Sequence, residues 1–521
     1  MAIKRYFASK DNTITNAFKS NLTTRGTGSN MGQADILEIF SIYGQASSSS
    51  GLSSELSRVL IEFDTTDIAA DRAAGDVPAS GSVSFYLKMY NAKHGQTLPK
   101  NYTMEIKAVT GSTGTREWEE GFGLDMEGYT DSTVGGTGSN WVNRKAATAW
   151  TTQGGDYVNP DTDLSSSFTQ VFDNGTEDLE VDVTTLIEQW LDDTGNGALG
   201  RKNNYGLGVM LSSSHESESR SFYTKKFFAR SSEFFFKRPV LEARWDSRDL
   251  DNRGNFIYSS SLATAEENLN KIYLYNYFRG QLRNIPGVGT GNIYVSFFSG
   301  SSDDSAPSGG ALELVVDGVH VTDAARNKVV TGSYYSTGIY TASVALTAAA
   351  TPLETVYDVW FQGGDSIADA TTATVQFHTG TIKPETLDSY AIAPSDEYVT
   401  NITNLKQEYS RKETARFRVY TRQKNWSPTI YNVASAEIES YPIESGSYKV
   451  YRVVDELDVI PYGTGSDLHT AMSYDLSGNY FDLDMSMLEA GYMYGIRFTY
   501  FNNSNNDWVE QPEVFKFRVE E

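Results

Sequence analysis

Apolar residues in this chain recur at every second position over short runs, and that period most constrains the fold. Val59, Ile61 and Phe63 share one face of a segment whose other face carries Glu62 and Asp64. Val83, Phe85, Leu87 and Met89 repeat the pattern against Ser84, Tyr86 and Lys88, and Tyr205, Leu207, Val209 and Leu211 repeat it with glycines between. Alternation of this kind puts one row of side chains in a core and the other outside a sheet. Leu241, Ala243 and Trp245 close the series, with Glu242 and Arg244 expected outward. Ile293, Val295 and Phe297, then Ala415, Phe417 and Val419, and finally Phe515, Phe517 and Val519 extend it along the chain. With 32 tyrosines and 26 phenylalanines, residues that suit a pleated surface, the expectation is an all-β protein.

A chain of 521 residues is too long for a single core. Residues 1–250 read as one large β-domain and 251–281 as a connector, with 263–275 partly helical. A second β-domain follows at 282–383, then a linker at 384–394 and a third β-domain at 395–521. In the second, Asp317-Gly318 between Val315-Val316 and Val319-His320-Val321 predicts a two-residue hairpin turn. In the third, Leu488, Gly491 and Tyr494 have the spacing of a tyrosine corner, so both later domains are expected to be Ig-like sandwiches. One short helix is predicted near 185–193, where Thr185 and Glu188 form a capping box and Leu186, Ile187, Trp190 and Leu191 an apolar face. Residues 100–175 read as long loops packed by Trp118, Trp141 and Trp150. The pentapeptide GTGSN, at Gly26–Asn30 and again at Gly136–Asn140, reads as shared turn chemistry.

A net charge of −24 opposes nucleic-acid binding. The absence of cysteine removes disulfides and thiolate chemistry and favours assembly in a cytosol. The start, MAIKRYFASKDNTIT, has no apolar core of a signal peptide, and no run is long enough to cross a membrane. The five histidines, His94, His215, His320, His378 and His469, are widely spaced and read as surface residues. Acidic pairs such as Glu119-Glu120, Asp192-Asp193, Asp303-Asp304 and Asp482 with Asp484 are what 67 acidic residues produce by chance. Neither a nucleophile elbow nor a phosphate loop is present, so a non-enzyme without a cofactor is expected. Asp11, Asp64 and Asp192 are the side chains a structural calcium ion would use.

The most cationic stretch places Lys225, Lys226, Arg230, Lys237 and Arg238 among aromatic residues that include Phe235. It reads first as a strand pair whose polar face meets acidic loops or a neighbouring subunit. It reads second as a glycan platform, to which Trp118 and Trp141 would add rings for stacking on sugars.

Three segments carry a family resemblance. RVLIEFDTTDI at 58–68 is similar to the R-x-L-x-x-F-D strand of DNRLRE-type domains. VDVTTLIEQWLDDTGNGALG resembles their D-V-T-x-x-V-x-x-W strand and helix, followed by a turn. YTKKFFARSSEFFFKRPVLEARW resembles their closing segment, with Ala229 and Ser231 standing where the family has a serine and an acid. The likeness covers roughly residues 5–250. It implies a jelly-roll sandwich similar to carbohydrate-binding modules, and it brings no catalytic residues. The start MAIKRYF and the stretch KKFFARSSEFFFKRP look most like structural proteins of tailed phages. What the resemblance implies is a virion protein assembled in the host cytoplasm: a head decoration, a neck or collar part, or a tail-associated fibre. Its partners would be other virion proteins and copies of itself, with neither nucleic acid nor membrane. The alternative is a receptor or adhesin module that recognises host surface polysaccharide. A polysaccharide-degrading enzyme is the third reading, opposed by the lack of a compact acid pair.

Overall fold

A computed structural model describes residues 2–521 apart from 20, 44–53, 94–98, 111–116, 125–137, 193, 196, 219–220, 262, 301–308, 317–318, 321–327, 349–350, 364–366, 373, 387–396, 425–439 and 503. The fold is all-β, as the alternation requires. The chain divides into two compact units, Ala2–Asp246 with Gly465–His469, and Ser247–Thr464 with Thr470–Glu521. Among the described residues no helix is long and apolar enough to cross a membrane.

The first unit is a jelly-roll-like sandwich built from β1 (Ile3–Thr15), β2 (Ile36–Tyr43), β3 (Ser54–Phe63), β4 (Ser84–Met89), β5 (Tyr102–Ala108), β6 (Asn143–Lys145), β7 (Thr148–Ala149), β8 (Ser167–Phe172), β9 (Leu179–Asp182), β10 (Leu207–Leu211), β11 (Phe222–Phe228) and β12 (Val240–Arg244). The main path runs β8-β5-β10-β3-β1-β12-β4-β9, with β2 on β3 and β11 on β2. β1 serves both halves. Ile3–Phe7 pair with β12, the register shifts between Ala8 and Lys10, and the rest of the strand pairs with β3. The alternating side chains Val59, Ile61, Phe63, Phe85, Leu87, Met89, Leu207, Val209, Leu241 and Ala243 fill the core between them. β5, in a region expected to be loops, alternates buried and half-buried along its whole length and is an interior strand.

Two helices longer than a single turn flank this core. α1 (Thr66–Ala74) was not expected. Ile68 is its one buried residue, and Gly75 ends it in the left-handed region. α2 (Thr184–Leu191) lies where predicted and buries Leu186, Ile187 and Trp190. The predicted capping box does not form. Asp182 Oδ1 accepts the Thr184 N–H instead, at 2.9 Å, while Thr185 Oγ1 donates to Ser165 O and Glu188 pairs with Arg72 of α1 at 2.6 Å.

Glu242 and Arg244 do point away from the apolar core, but they are buried, not outward in solvent. β12 is an interior strand with β1 on one side and β4 on the other, so its polar row meets the polar rows of both neighbours. Glu242 accepts Arg5 Nε at 2.6 Å and Arg244 Nε at 2.8 Å, with Lys88 Nζ at 3.6 Å. Arg244 also reaches Glu180 at 2.5 Å and lies over the Tyr86 ring.

In the second unit, the stretch expected as a connector is structured. β13 (Asn270–Tyr275) replaces the predicted partial helix there, and a small hairpin, β14 (Tyr277–Phe278) and β15 (Gln281–Leu282), follows it. β16 (Ile293–Phe298), β17 (Leu314–Val316), β18 (Val319–His320), β19 (Val330–Ser336), β20 (Ile339–Leu346), β21 (Val356–Phe361) and β22 (Gln376–Ile382) complete an eight-stranded antiparallel arrangement in which β13 pairs with β20. Phe256, Tyr258, Ile272 and Leu274 belong to the same core as Ile293, Val295, Phe297, Tyr340 and Trp360, so this β-domain starts well before residue 282. Val315 pairs with His320 and Val316 with Val319, as a two-residue hairpin demands, although Asp317 and Gly318 lie outside the described residues. Most of the expected linker 384–394 and His94 also lie outside them.

The last β-domain comprises β23 (Tyr398–Ile402), β24 (Glu408–Ser410), β25 (Thr414–Gln423), β26 (Gly446–Arg452), β27 (Leu457–Ile460), β28 (Ser473–Asp475), β29 (Gly478–Asp484), β30 (Met493–Asn502), β31 (Asp507–Glu510) and β32 (Phe515–Glu520). One sheet runs β23-β25-β29-β28 and the other β24-β32-β30-β26-β27, with β31 on β30. Their rings meet between the sheets: Tyr448 lies 4.0 Å from Phe481, and Phe417 lies 5.9 Å from Phe517. The Tyr494 hydroxyl donates to Glu489 O at 2.7 Å, so the corner tyrosine bonds back to the backbone as its spacing predicts.

Candidate functional site

The cationic stretch divides along the pleat of β11. Tyr223, Lys225 and Phe227 turn inward, and Phe222, Lys226 and Phe228 turn the other way. Lys225 is therefore a core residue, not part of any partner surface. Its three ammonium protons meet Asn91 Oδ1 at 2.7 Å, Gly175 O at 3.0 Å and Glu177 O at 2.6 Å, between the rings of Phe172 and Phe227. Burial lowers its pKa to about 8. Lys226 pairs across the strands with Glu38.

Trp118 and Trp141 are also withdrawn. They pack with Trp150, Ile14, Leu60 and Val109 in a second core of the same unit, and Trp118 Nε1 donates to Tyr205 O at 3.0 Å. Neither ring is available as a sugar platform.

What remains exposed is Phe222 at the start of β11 and a phenylalanine patch formed by Phe7 of β1 and the loop between β11 and β12. Phe234 is 52% and Phe7 39% exposed. Phe235 packs on Phe7 at 5.1 Å and on Phe236 at 5.2 Å, and Phe234 meets Phe228 edge-on at 5.6 Å. Lys237 lies over Tyr90, and Arg238 lies 5.8 Å from the Phe235 ring while its Nε donates to Ser232 O. Phe235, Lys237 and Arg238 thus lie together in this loop.

Arg230 belongs to a half-buried network. It grips Glu120 through Nε at 2.6 Å and through Nη2, and its backbone N–H donates to Asp11 Oδ2 at 2.6 Å. Glu120 Oε1 in turn accepts the Asp11 N–H. The first GTGSN and the described end of the second, Gly138–Asn140, meet here: Asn30 Nδ2 donates to Ser139 O at 2.6 Å and to Glu120 O at 2.7 Å. A Cβ at Gly32 would come within 2.2 Å of Glu120 O, so that position admits glycine alone. The turns shared more than composition; each supplies part of one network, a convergence that local sequence does not carry.

Burial, with the nearby Glu120 carboxylate adding to it, pushes the Asp11 carboxyl up to about 7. A raised folded-state pKa means that stability is fullest below the ordinary value near 4 and is lost as pH rises towards 7. Asp11→Asn removes that loss while keeping an acceptor for Arg230. Its stability relative to the parent is expected to rise between pH 4 and pH 8 by on the order of 3 kcal/mol. Urea midpoints at the two pH values measure this, and a constant difference would contradict it.

The histidines and aspartates singled out by sequence do not assemble. His469 is buried rather than at the surface, and His215 Nδ1 lies 2.5 Å from Ser212 Oγ. Asp64 accepts from Thr66, and Asp192 accepts from Thr194, Gly195 and Gly197 within a turn. Among the described residues no three metal-binding side chains are grouped.

A cleft of about 420 Å³ opens on the outer side of β3, β5 and β10, lined in part by Arg58, Glu105, Lys107, Asp156, Tyr157 and Glu216. Four of its five charges pair off, and the fifth, Asp156, accepts the backbone N–H groups of Thr151 and Thr152. Arg58 holds Glu216 through two bonds at 3.0 and 2.6 Å, and Lys107 holds Glu105. The Tyr157 ring rests on the backbone of β10, where a Cβ at Gly208 would stand 2.1 Å from it. Such a cleft offers hydrogen bonds with one carboxylate, Asp156, in excess. Sequence gave only one hint of it, the position of Arg58 on the polar row of β3. No family model and no curated protein matches this chain.

Proposed function

We propose that this chain is a non-enzymatic structural protein of a tailed-phage virion, acting through protein–protein assembly. The three segments that resemble DNRLRE-type domains support the reading by falling on β3, on β9 with α2, and on β11 with β12. They contribute Val59, Ile61, Val181, Trp190, Phe227 and Leu241 to one core. The observation that carries the assembly role is the phenylalanine patch around Phe234 and Phe235, beside Lys237 and Arg238. Exposed rings next to cations are the composition of interface hot spots. Mass spectrometry of purified particles, with electron microscopy, tests the proposal. The protein is expected in the particles in a fixed ratio to the other structural proteins, and its absence from them would sink the reading.

The second reading, recognition of a host polysaccharide, is favoured by the cleft at Tyr157, whose charges are mostly paired and which keeps Asp156 as a hydrogen-bond acceptor. A glycan array with the parent protein and Tyr157→Ala separates the two. Binding to a host glycan that the variant loses supports a receptor role, and no binding to any glycan counts against it.

A further inference from the structure

We propose that the hairpin formed by β14 and β15 is a docking tip for an acidic surface on a second copy of this chain. The turn residues Arg279 and Gly280 both have positive φ, 51° and 78°, the geometry of a primed two-residue turn that matches strand twist. An isolated two-stranded hairpin is marginal in water, but this one is clamped at its base. Arg283 N donates to Asn276 O at 3.0 Å, Asn276 Nδ2 donates to Arg283 O at 2.6 Å, and Asn276 N donates to Gly338 O at 2.8 Å. Gly338 in turn donates to Asn284 Oδ1 at 2.8 Å, and a Cβ there would stand 2.5 Å from Arg283 N.

The clamp holds costly groups in the open. Tyr277 is 62% and Phe278 52% exposed. Arg279 and Arg283 both lie against the Phe278 ring, 5.3 and 5.5 Å from its centroid. Among the described residues neither guanidinium has a carboxylate within ion-pair distance. Arg5, Arg58, Arg72, Arg230, Arg244 and Arg253, by contrast, all hold one. The tip therefore presents two preorganised guanidinia and two rings, the side chains that dominate interface energetics. Charge complementarity selects the occupant. Each copy carries 67 acidic against 43 basic residues, so copies repel except where a cationic tip meets an acidic face. The inference is independent of the particle reading, because self-association is measured on the purified chain alone.

Sedimentation velocity of the full-length protein at rising concentration, in low and high salt, tests it beside R279E/R283E and Phe278→Ser. Salt-sensitive association of the parent, weakened about tenfold or more in both variants, is the expected result. Unchanged circular dichroism would show that the exposed tip has been altered without unfolding the domain. A parent that stays monomeric in low salt overturns the proposal, as does association that the charge reversal leaves intact. Retention of a monomeric parent on heparin beads, lost in R279E/R283E, also overturns it and reassigns the tip to acidic polysaccharide.

Discussion

Glu242→Ala is expected to destabilise the N-terminal β-domain by about 3–5 kcal/mol, the cost of stranding buried charges by removing their partner. Arg5 and Arg244 both bond this carboxylate, Lys88 stands near it, and all four side chains are nearly or wholly shielded from water. Burial alone would raise the Glu242 pKa, but Arg5, Lys88 and Arg244 overcome it and hold the carboxyl well below its ordinary range. A depressed folded-state pKa places the contribution above the ordinary value near 4.5, and it is lost as pH falls. The deficit of the variant should therefore be full at pH 7 and narrow in acid. Scanning calorimetry at both pH values measures it. A variant that melts with the parent at pH 7 would show that the ion cluster contributes nothing net.

Asp358→Ala is the counterpart in the second unit, with a similar expected loss of about 3–5 kcal/mol. Asp358 is fully buried, takes both terminal nitrogens of Arg253 at 2.8 and 2.6 Å, and accepts the Trp360 indole N–H at 2.7 Å. Removing it leaves a guanidinium and an indole donor without their acceptor. Because the ion pair ties residue 253 to β21, the variant should also expose the segment before β13 to protease and to amide exchange. If each substitution moves a different calorimetric transition, and the double variant moves both by the single amounts, the two clusters are energetically separate.

Strand identity was legible wherever one face of a strand is apolar and the other polar, as at Val59–Phe63 and Val83–Met89. It was missed at Tyr102–Ala108, although Tyr102, Met104, Ile106 and Ala108 alternate with Thr103, Glu105 and Lys107, because the Gly-, Ser- and Thr-rich residues that follow drew the segment into the loop reading. Helix α1 was missed because Thr66–Ala74 buries only Ile68 and carries almost no apolar stripe. Glu242 and Arg244 were placed on the correct face, but alternation reports the side of a strand and says nothing about what covers it. The same limit applies at the candidate site. Sequence grouped Lys225 with Phe235, Lys237 and Arg238 by proximity, yet the period-two rule already separates Lys225 from Lys226. Trp118 and Trp141 were legible as rings that pack the loops around them, but two of the partners that bury them, Ile14 and Leu60, come from distant segments and were not. The hairpin tip was hidden within an expected connector because two-residue strands carry no period.

The pairing of Ile3 with Arg244 has a consequence for synthesis. β1 leaves the ribosome well before its partner β12, and until Val240–Arg244 emerges half of β1 has no neighbour on the β12 side. The nascent chain must keep that edge from other chains for the whole translation of the domain, the condition under which long-range β topologies fold slowly and aggregate. The adjacent Lys4 and Arg5 on that waiting edge, unpaired until Asp71 and Glu242 arrive, are its built-in protection.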